Sequence, residues 1–224
     1  CKKVFLSTGM STIKDINLAL DVLTHSFLKK KINNLNFINA YKKNKKKIKN
    51  KIILMHCNSE YPVSTSNVNL NNIKNLKKIF NLEVGFSDHS TNIISSTIAV
   101  ALGANIIEKH LTLNKNDSGP DHSSSFNKRE FSEMVNSIRL TEISLGKLKR
   151  EITKEEKSNS YVSRKSIIAL QKIKKGKKFT KKNISTKRSG RGISPMYFWN
   201  LLGKKSSRNY NFDELIKENF RNKK

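Results

Sequence analysis

Four short apolar runs, each ending in polar residues and each followed by a segment of helical period, set the strongest limit on how this chain folds. The runs are Val4 to Leu6, Ile52 to Met55, Val84 to Phe86, and Ile106 to Ile107 flanked by Asn105 and Glu108. After the first, Ser11-Thr12 offers a helix cap, and Ile13, Ile16, Leu18, Leu20, Val22 and Leu23 follow on one amphipathic helix. After the second, Leu70, Ile73, Leu76 and Phe80 repeat at near-helical spacing. Ile93 through Leu102 reads as a buried helix stopped at Gly103. After the fourth run, Phe131, Met134, Val135, Ile138, Leu140 and Ile143 recur at three and four, with Gly146 near the end. Such a βα series predicts a parallel sheet with right-handed crossovers, either half of an eightfold barrel or a small doubly wound sheet.

The position of the chemistry-capable residues separates these two folds. Ser7-Thr8-Gly9, His56-Cys57, Ser87-Asp88-His89 and Glu108-Lys109-His110 all fall at the C-terminal end of their strand. In a (β/α)8 barrel that rim is the active-site face, whereas a doubly wound sheet gathers its site at one switch point. Polar ends on all four strands favour the partial TIM barrel, over residues 1–146. Residues 147–160 are charged, lack an apolar period and read as a linker. Beyond them the texture changes to Ser166-Ile167-Ile168-Ala169-Leu170, then Ile173, Gly176, Phe179, Ile184 and the turn Gly190-Arg191-Gly192. Short strands broken by Lys-Gly and Gly turns predict a small β-rich domain over 161–224.

Charge narrows the choice of partners. The formal net charge is +28, but it is unevenly spread. Lys29 to Lys51 holds ten lysines and no acid, and Lys157 to Phe212 holds sixteen Lys or Arg and no acid. Six acids fall between Ile52 and Asp121, among the strand-end motifs. Clustered cations attract polyanions through counterion release, so a basic binding module is one reading. Aromatic residues are not interleaved with the lysines as a single-strand binder requires, so a solvated basic surface with only non-specific nucleic-acid attraction is the other. No run approaches a membrane span and no signal peptide is visible, which gives the expectation of a cytoplasmic protein without a membrane partner. Two cysteines, Cys1 and Cys57, cannot build a disulfide framework. The opening Cys1, in place of Met, raises the expectation of a fragment or a broken reading frame.

Histidines give the sharpest local signal. Of the five, His56, His89 and His110 each close a strand. A single strand-end His is commonly structural, but three on one rim point further. His89 and His110, on adjacent units, can converge on one divalent ion, with Asp88, Glu108 or Asp121 as oxygen donors or hydrogen-bonding supports. Asp88 can equally cap the next helix. An imidazole pair completed by water and substrate oxygens suits Mn²⁺, with Mg²⁺ or Co²⁺ as alternatives, better than a closed zinc site.

The segments Ser7-Thr8-Gly9-Met10, His56-Cys57-Asn58-Ser59-Glu60-Tyr61-Pro62, Gly85-Phe86-Ser87-Asp88-His89-Ser90, Glu108-Lys109-His110-Leu111-Thr112 and Gly119-Pro120-Asp121-His122 resemble, in order, the motifs of the sialic acid synthases. The tail, with Arg164-Lys165-Ser166, Lys187-Arg188-Ser189-Gly190-Arg191-Gly192 and Leu202-Gly203-Lys204, resembles their antifreeze-like (SAF) domain. The lysine-rich segment 29–51 lies outside the resemblance and reads as an insert between strands. The resemblance implies condensation of phosphoenolpyruvate with an N-acyl amino sugar such as N-acetylmannosamine, giving a nine-carbon 2-keto acid and phosphate. It implies His89 and His110 as metal ligands, Glu108 and Asp121 as catalytic residues, and Ser59, Tyr61 and Asp121 as substrate-binding residues. Arg188 corresponds to the arginine that one protomer's tail extends into its partner's barrel mouth in a domain-swapped homodimer, where it binds the acyl group. Ser189 stands where proline is usual after Lys-Arg. The resemblance begins at the fifth barrel strand, and 224 residues are too few for a barrel of about 250 residues plus a tail. The expectation is therefore the second half of a larger synthase, inactive by itself.

Overall fold

The computed structural model describes residues 2–29 and 38–219. Cys1, residues 30–37 of the lysine-rich segment and residues 220–224 lie outside the described part. The chain divides into two compact units, Cys1–Lys147 and Leu148–Lys224.

The first unit is built on one parallel sheet of β1 (Val4–Ser7), β2 (Ile52–His56), β3 (Glu83–Asp88) and β4 (Ile107–Lys109), in the order β1-β2-β3-β4. Each strand pairs with the next in sequence, without the order reversal of a doubly wound sheet. The sheet is a half-barrel. Helices α1 (Ile13–Phe27) and α2 (Ala40–Ile48) cross from β1 to β2, α3 (Asn71–Phe80) from β2 to β3, and α4 (Ile93–Ala101) from β3 to β4, while α5 (Lys128–Leu145) follows β4. Thr12, Asn92 and Asn127 cap α1, α4 and α5 through their side chains, each satisfying an amide that the first helical turn leaves free.

Strand alternation sorts the residues into two faces. Ile52, Leu54, Val84 and Phe86, with Leu6 and Ile107, pack into the core shared with Ile16, Leu20, Ile73, Leu76 and Phe80 of the helices. Phe5, Ser7, Ile53, Met55, Gly85, Ser87 and Glu108 therefore fall on the inner face. Gly85 has a packing reason: a Cβ there would lie 2.5 Å from Met55 Sδ, so the thioether occupies the space that glycine leaves.

Two sequence expectations need correction. The lysine-rich segment is not merely an insert, because α2 is part of the core through buried Ala40, Tyr41 and Ile48. Buried Asp21 on α1 accepts the backbone N–H groups of Asn39 and Tyr41, each at 2.8 Å, and Tyr41 donates its hydroxyl to the Phe80 carbonyl at the end of α3. Three apolar residues at helical spacing are enough to dock the helix, and the lysines occupy its remaining face. The span read as a linker contains a helix, α6 (Lys154–Ser163), started by a reciprocal capping box between Thr153 and Glu156. None of its residues is buried, which explains why an apolar period did not reveal it.

In the second unit, β5 (Lys165–Ala169) and β6 (Ile184–Arg188) pair antiparallel. A 3₁₀ turn (Pro195–Tyr197) and α7 (Phe198–Leu201) follow. Ile167, Ala169, Ile173, Phe179, Ile184, Leu201, Tyr210 and Ile216 form a separate core. Gly190, at φ +59°, passes so close to the backbone of α6 that a Cβ would lie 2.3 Å from the Tyr161 carbonyl oxygen. Among the described residues, no helix is long and apolar enough to cross a membrane.

Candidate active site

The strand ends are locked to one another by short polar contacts. Thr8 donates both its amide and its hydroxyl to the Met55 carbonyl, each at 3.0 Å, fixing the turn after β1 against β2. The Gly9 amide donates to Cys57 Sγ at 3.1 Å. A Cβ on Gly9 would come within 2.6 Å of Ser59 Oγ, so glycine lets the loop carrying Ser59 close over β1. A cleft of about 410 Å³ opens beside this contact, lined by Thr8, Ser11, Cys57, Asn58 and Asn67 among others.

His89 and His110 meet at the ends of β3 and β4, with ring centroids 5.3 Å apart and planes at 84°. Tyr61 lies against both, 4.1 Å from the His89 ring and 5.8 Å from the His110 ring. His89 is buried, and its Nδ1 lies 2.6 Å from the Asn58 carbonyl oxygen. A carbonyl only accepts, so Nδ1 carries the proton and, in the neutral ring, Nε2 presents its lone pair. Ser87 Oγ lies 2.6 Å from Glu108 Oε1 and 3.4 Å from His89 Nε2. With the Ser87 proton committed to the carboxylate, the oxygen and Nε2 both direct lone pairs into the same space. That arrangement calls for a cation or a hydrogen-bond donor between them.

Asp121 lies 3.7 Å from His110 Nδ1 and remains half-exposed. Among the described residues, no three His, Cys, Asp or Glu side chains gather closely enough to hold a metal ion alone. A metal ion here would have to be held by the two imidazoles alone, with the other positions left to water or substrate oxygens.

His56 and Asp88 do not join this group. His56 faces the helices, stacked 5.8 Å from Phe86, with Nε2 donating to the Val68 carbonyl at 2.8 Å. Burial holds its pKa below the usual histidine value. Asp88 also turns toward the helix layer, where it pairs with Lys109 and neither caps α4 nor faces the histidines. Strand alternation carries the signal: residues 87 and 89 point one way and 88 the other. Ser87 and the Asn58 carbonyl are the site groups that sequence reasoning missed. Ser87 was legible by the same alternation, but a backbone carbonyl has no signature in sequence. Arg188 ends β6 in the second unit, exposed and without an ion pair among the described residues.

Residues 1–150 match the NeuB family, and residues 164–219 match the SAF domain. The chain belongs to the NeuB family. This NeuB-family chain is 42% identical over 217 residues to the N,N'-diacetyllegionaminic acid synthase of Campylobacter jejuni, covering 97% of itself and 59% of that protein. It is 36% identical over 166 residues to human N-acetylneuraminate-9-phosphate synthase, covering 73% of itself and 46% of the relative. Among solved structures, it resembles the N-acetylneuraminic acid (sialic acid) synthetase of Leptospira borgpetersenii with a TM-score of 0.54 and 30% identity, over 70% of this chain and 47% of that one. A spore coat polysaccharide biosynthesis protein E from Chromobacterium violaceum shares the fold at TM-score 0.67 and 19% identity, over 96% of this chain and 59% of that one. The chain thus spans less than two thirds of each of these relatives. The resemblance to sialic acid synthases and to their SAF domain holds across both units.

Proposed function

We propose that this chain carries the metal-binding rim and the tail arginine of a synthase that joins phosphoenolpyruvate to an N-acyl amino sugar, acting with further βα units that close the barrel. The convergence of His89, His110 and Tyr61 at the ends of adjacent strands carries this reading. The names of the relatives support it, since they are synthases of legionaminic acid and N-acetylneuraminate 9-phosphate. N-acetylmannosamine or a bacterial diacetamido sugar is the acceptor class.

His89 and His110 would hold a divalent ion, with Mn²⁺ favoured and Mg²⁺ or Co²⁺ as alternatives. A bound ion supplies Lewis-acid polarisation of an aldehyde oxygen. The Asn58 carbonyl keeps Nε2 of His89 free to ligate. Tyr61 packs over both rings and restricts their rotation. Glu108 holds the Ser87 proton, so the serine oxygen faces the reaction space as an acceptor. Its role is thus orientation of a neighbour, while Asp121 beside His110 is exposed enough to take a sugar hydroxyl. Ser59, at the rim over Gly9, borders the substrate space. In a domain-swapped homodimer of the closed-barrel enzyme, the exposed Arg188 of one protomer serves the acyl group bound by the other. Cytoplasmic location follows from a phosphoenolpyruvate substrate.

Co-expression with the N-terminal segment of the Campylobacter jejuni relative tests this reading. Purified pairs are assayed for phosphate release and 2-keto acid with Mn²⁺, phosphoenolpyruvate and a panel of acylated amino sugars. Product is expected from the pair, none from the chain alone, and losses of at least 100-fold for His89→Ala or His110→Ala. A pair that releases no 2-keto acid with any sugar, or whose activity survives both substitutions, overturns the reading.

A further inference from the structure

Asp88 and Lys109 are the last residues of β3 and β4 and are direct register partners. Their side chains are almost wholly removed from solvent, at 0% and 1% exposure, with Lys109 Nζ 3.6 Å from Asp88 Oδ1. A buried ion pair is a costly way to join two strands, and apolar residues of the same size frequently serve as well. Both members of the pair are bonded further. Asp88 Oδ1 accepts the Ser90 amide at 2.8 Å, and Oδ2 accepts the Ser96 hydroxyl from α4 at 2.7 Å. Lys109 Nζ donates to the Ser90 carbonyl and lies 4.1 Å above the Phe126 ring. The Phe126 amide, in turn, donates to the His110 carbonyl at 3.0 Å.

His89 is therefore held between Asp88 and Ser90, both bound to Lys109, and His110 follows Lys109 directly while its carbonyl is tied to the residue beneath the ammonium. Neither charged group reaches the inner face, so neither touches the reacting space. We propose that the buried Asp88–Lys109 pair is a positioning device that fixes the separation of the His89 and His110 rings, and so sets the divalent-metal affinity of the rim. This rests on the reading of His89 and His110 as ligands. Groups that hydrogen-bond metal ligands directly change metal affinity by about 10–100-fold when altered, and a support acting through the adjoining backbone is set at the lower end of that range.

The test measures Mn²⁺ dissociation constants of the full chain by electron paramagnetic resonance of the free ion, with circular dichroism and thermal melting as the fold control. Asp88→Asn/Lys109→Met removes both charges at near-equal volume, so no buried charge is left unpaired. It is expected to keep the fold and weaken Mn²⁺ binding at least tenfold. Ser96→Ala releases one Asp88 oxygen and is expected to weaken binding about threefold, and it decides the matter if the double variant does not fold. His89→Ala and His110→Ala separate the two claims. If either abolishes binding while Asp88→Asn/Lys109→Met and Ser96→Ala bind as tightly as the unaltered chain, the positioning role is wrong and the ligands stand. If the unaltered chain binds no Mn²⁺, or both histidine variants still bind it, the ligand reading fails and the positioning role falls with it. A lowered melting temperature with unchanged affinity marks a purely structural pair and also overturns the proposal.

Discussion

Tyr41→Phe tests whether the lysine-rich segment is anchored as the fold requires. The Tyr41 ring is 2% exposed, and its hydroxyl donates to the Phe80 carbonyl, which sits in the last turn of α3 and has no partner further along that helix. Removing the hydroxyl leaves that carbonyl buried and unpaired, a cost of about 1–2 kcal/mol. The same burial pushes the phenol up to about 12 from 10.0. The folded state therefore favours the neutral phenol, while the unfolded chain loses the proton near the ordinary value. The contribution is complete below about pH 10 and declines as pH rises toward about 12. Two units correspond to at most about 2.7 kcal/mol. Solvent near the lysine face of α2 screens part of this, leaving about 1–1.5 kcal/mol.

The stability gap between Tyr41→Phe and the unaltered chain should thus be about 1–2 kcal/mol near pH 8 and smaller by about 1–1.5 kcal/mol near pH 12. Urea unfolding of both proteins at the two pH values, followed by far-UV circular dichroism, measures it. A gap that stays constant between the two pH values, or one below about 0.5 kcal/mol near pH 8, refutes the anchoring argument.

Other outcomes follow from single contacts. Gly190→Ala forces a Cβ to 2.3 Å from the Tyr161 carbonyl oxygen at φ +59°, so the second unit should lose about 2–4 kcal/mol in calorimetry while the transition of the first unit stays in place. Gly9→Ala would place a Cβ 2.6 Å from Ser59 Oγ and so displace that hydroxyl, and should leave the melting temperature within a few degrees while lowering the activity of the co-expressed pair at least tenfold. Because burial lowers the His56 pKa from 6.5, the unfolded state takes up a proton first, and stability falls as pH drops below about 6.5. His56→Gln, which retains an N–H for the Val68 carbonyl, should flatten that acid limb in urea titrations, and an unchanged slope would exclude His56 as its source.

The βα repeat, its caps at Thr12 and its stop at Gly103 are local features: apolar period, a hydroxyl before a helix, a glycine where φ is positive. These were legible because each depends on residues a few positions apart. The half-barrel reading was legible too, since polar strand ends recur at each unit. The docking of α2 and the existence of α6 were not, because charge outweighed a three-residue apolar face in one and no apolar face existed in the other.

The site shows the same division at finer scale. Sequence alone determined that His89 and His110 end adjacent strands and that the motifs are those of a synthase family. Tertiary structure decided which strand-end residues face each other. It turned His56 and Asp88 into the helix layer, brought Tyr61 across both imidazoles, and set the Asn58 carbonyl on His89 from 31 residues away. The physical reason is that strand-end motifs fix residue type, whereas side-chain direction and a backbone partner exist only once neighbouring strands are in register.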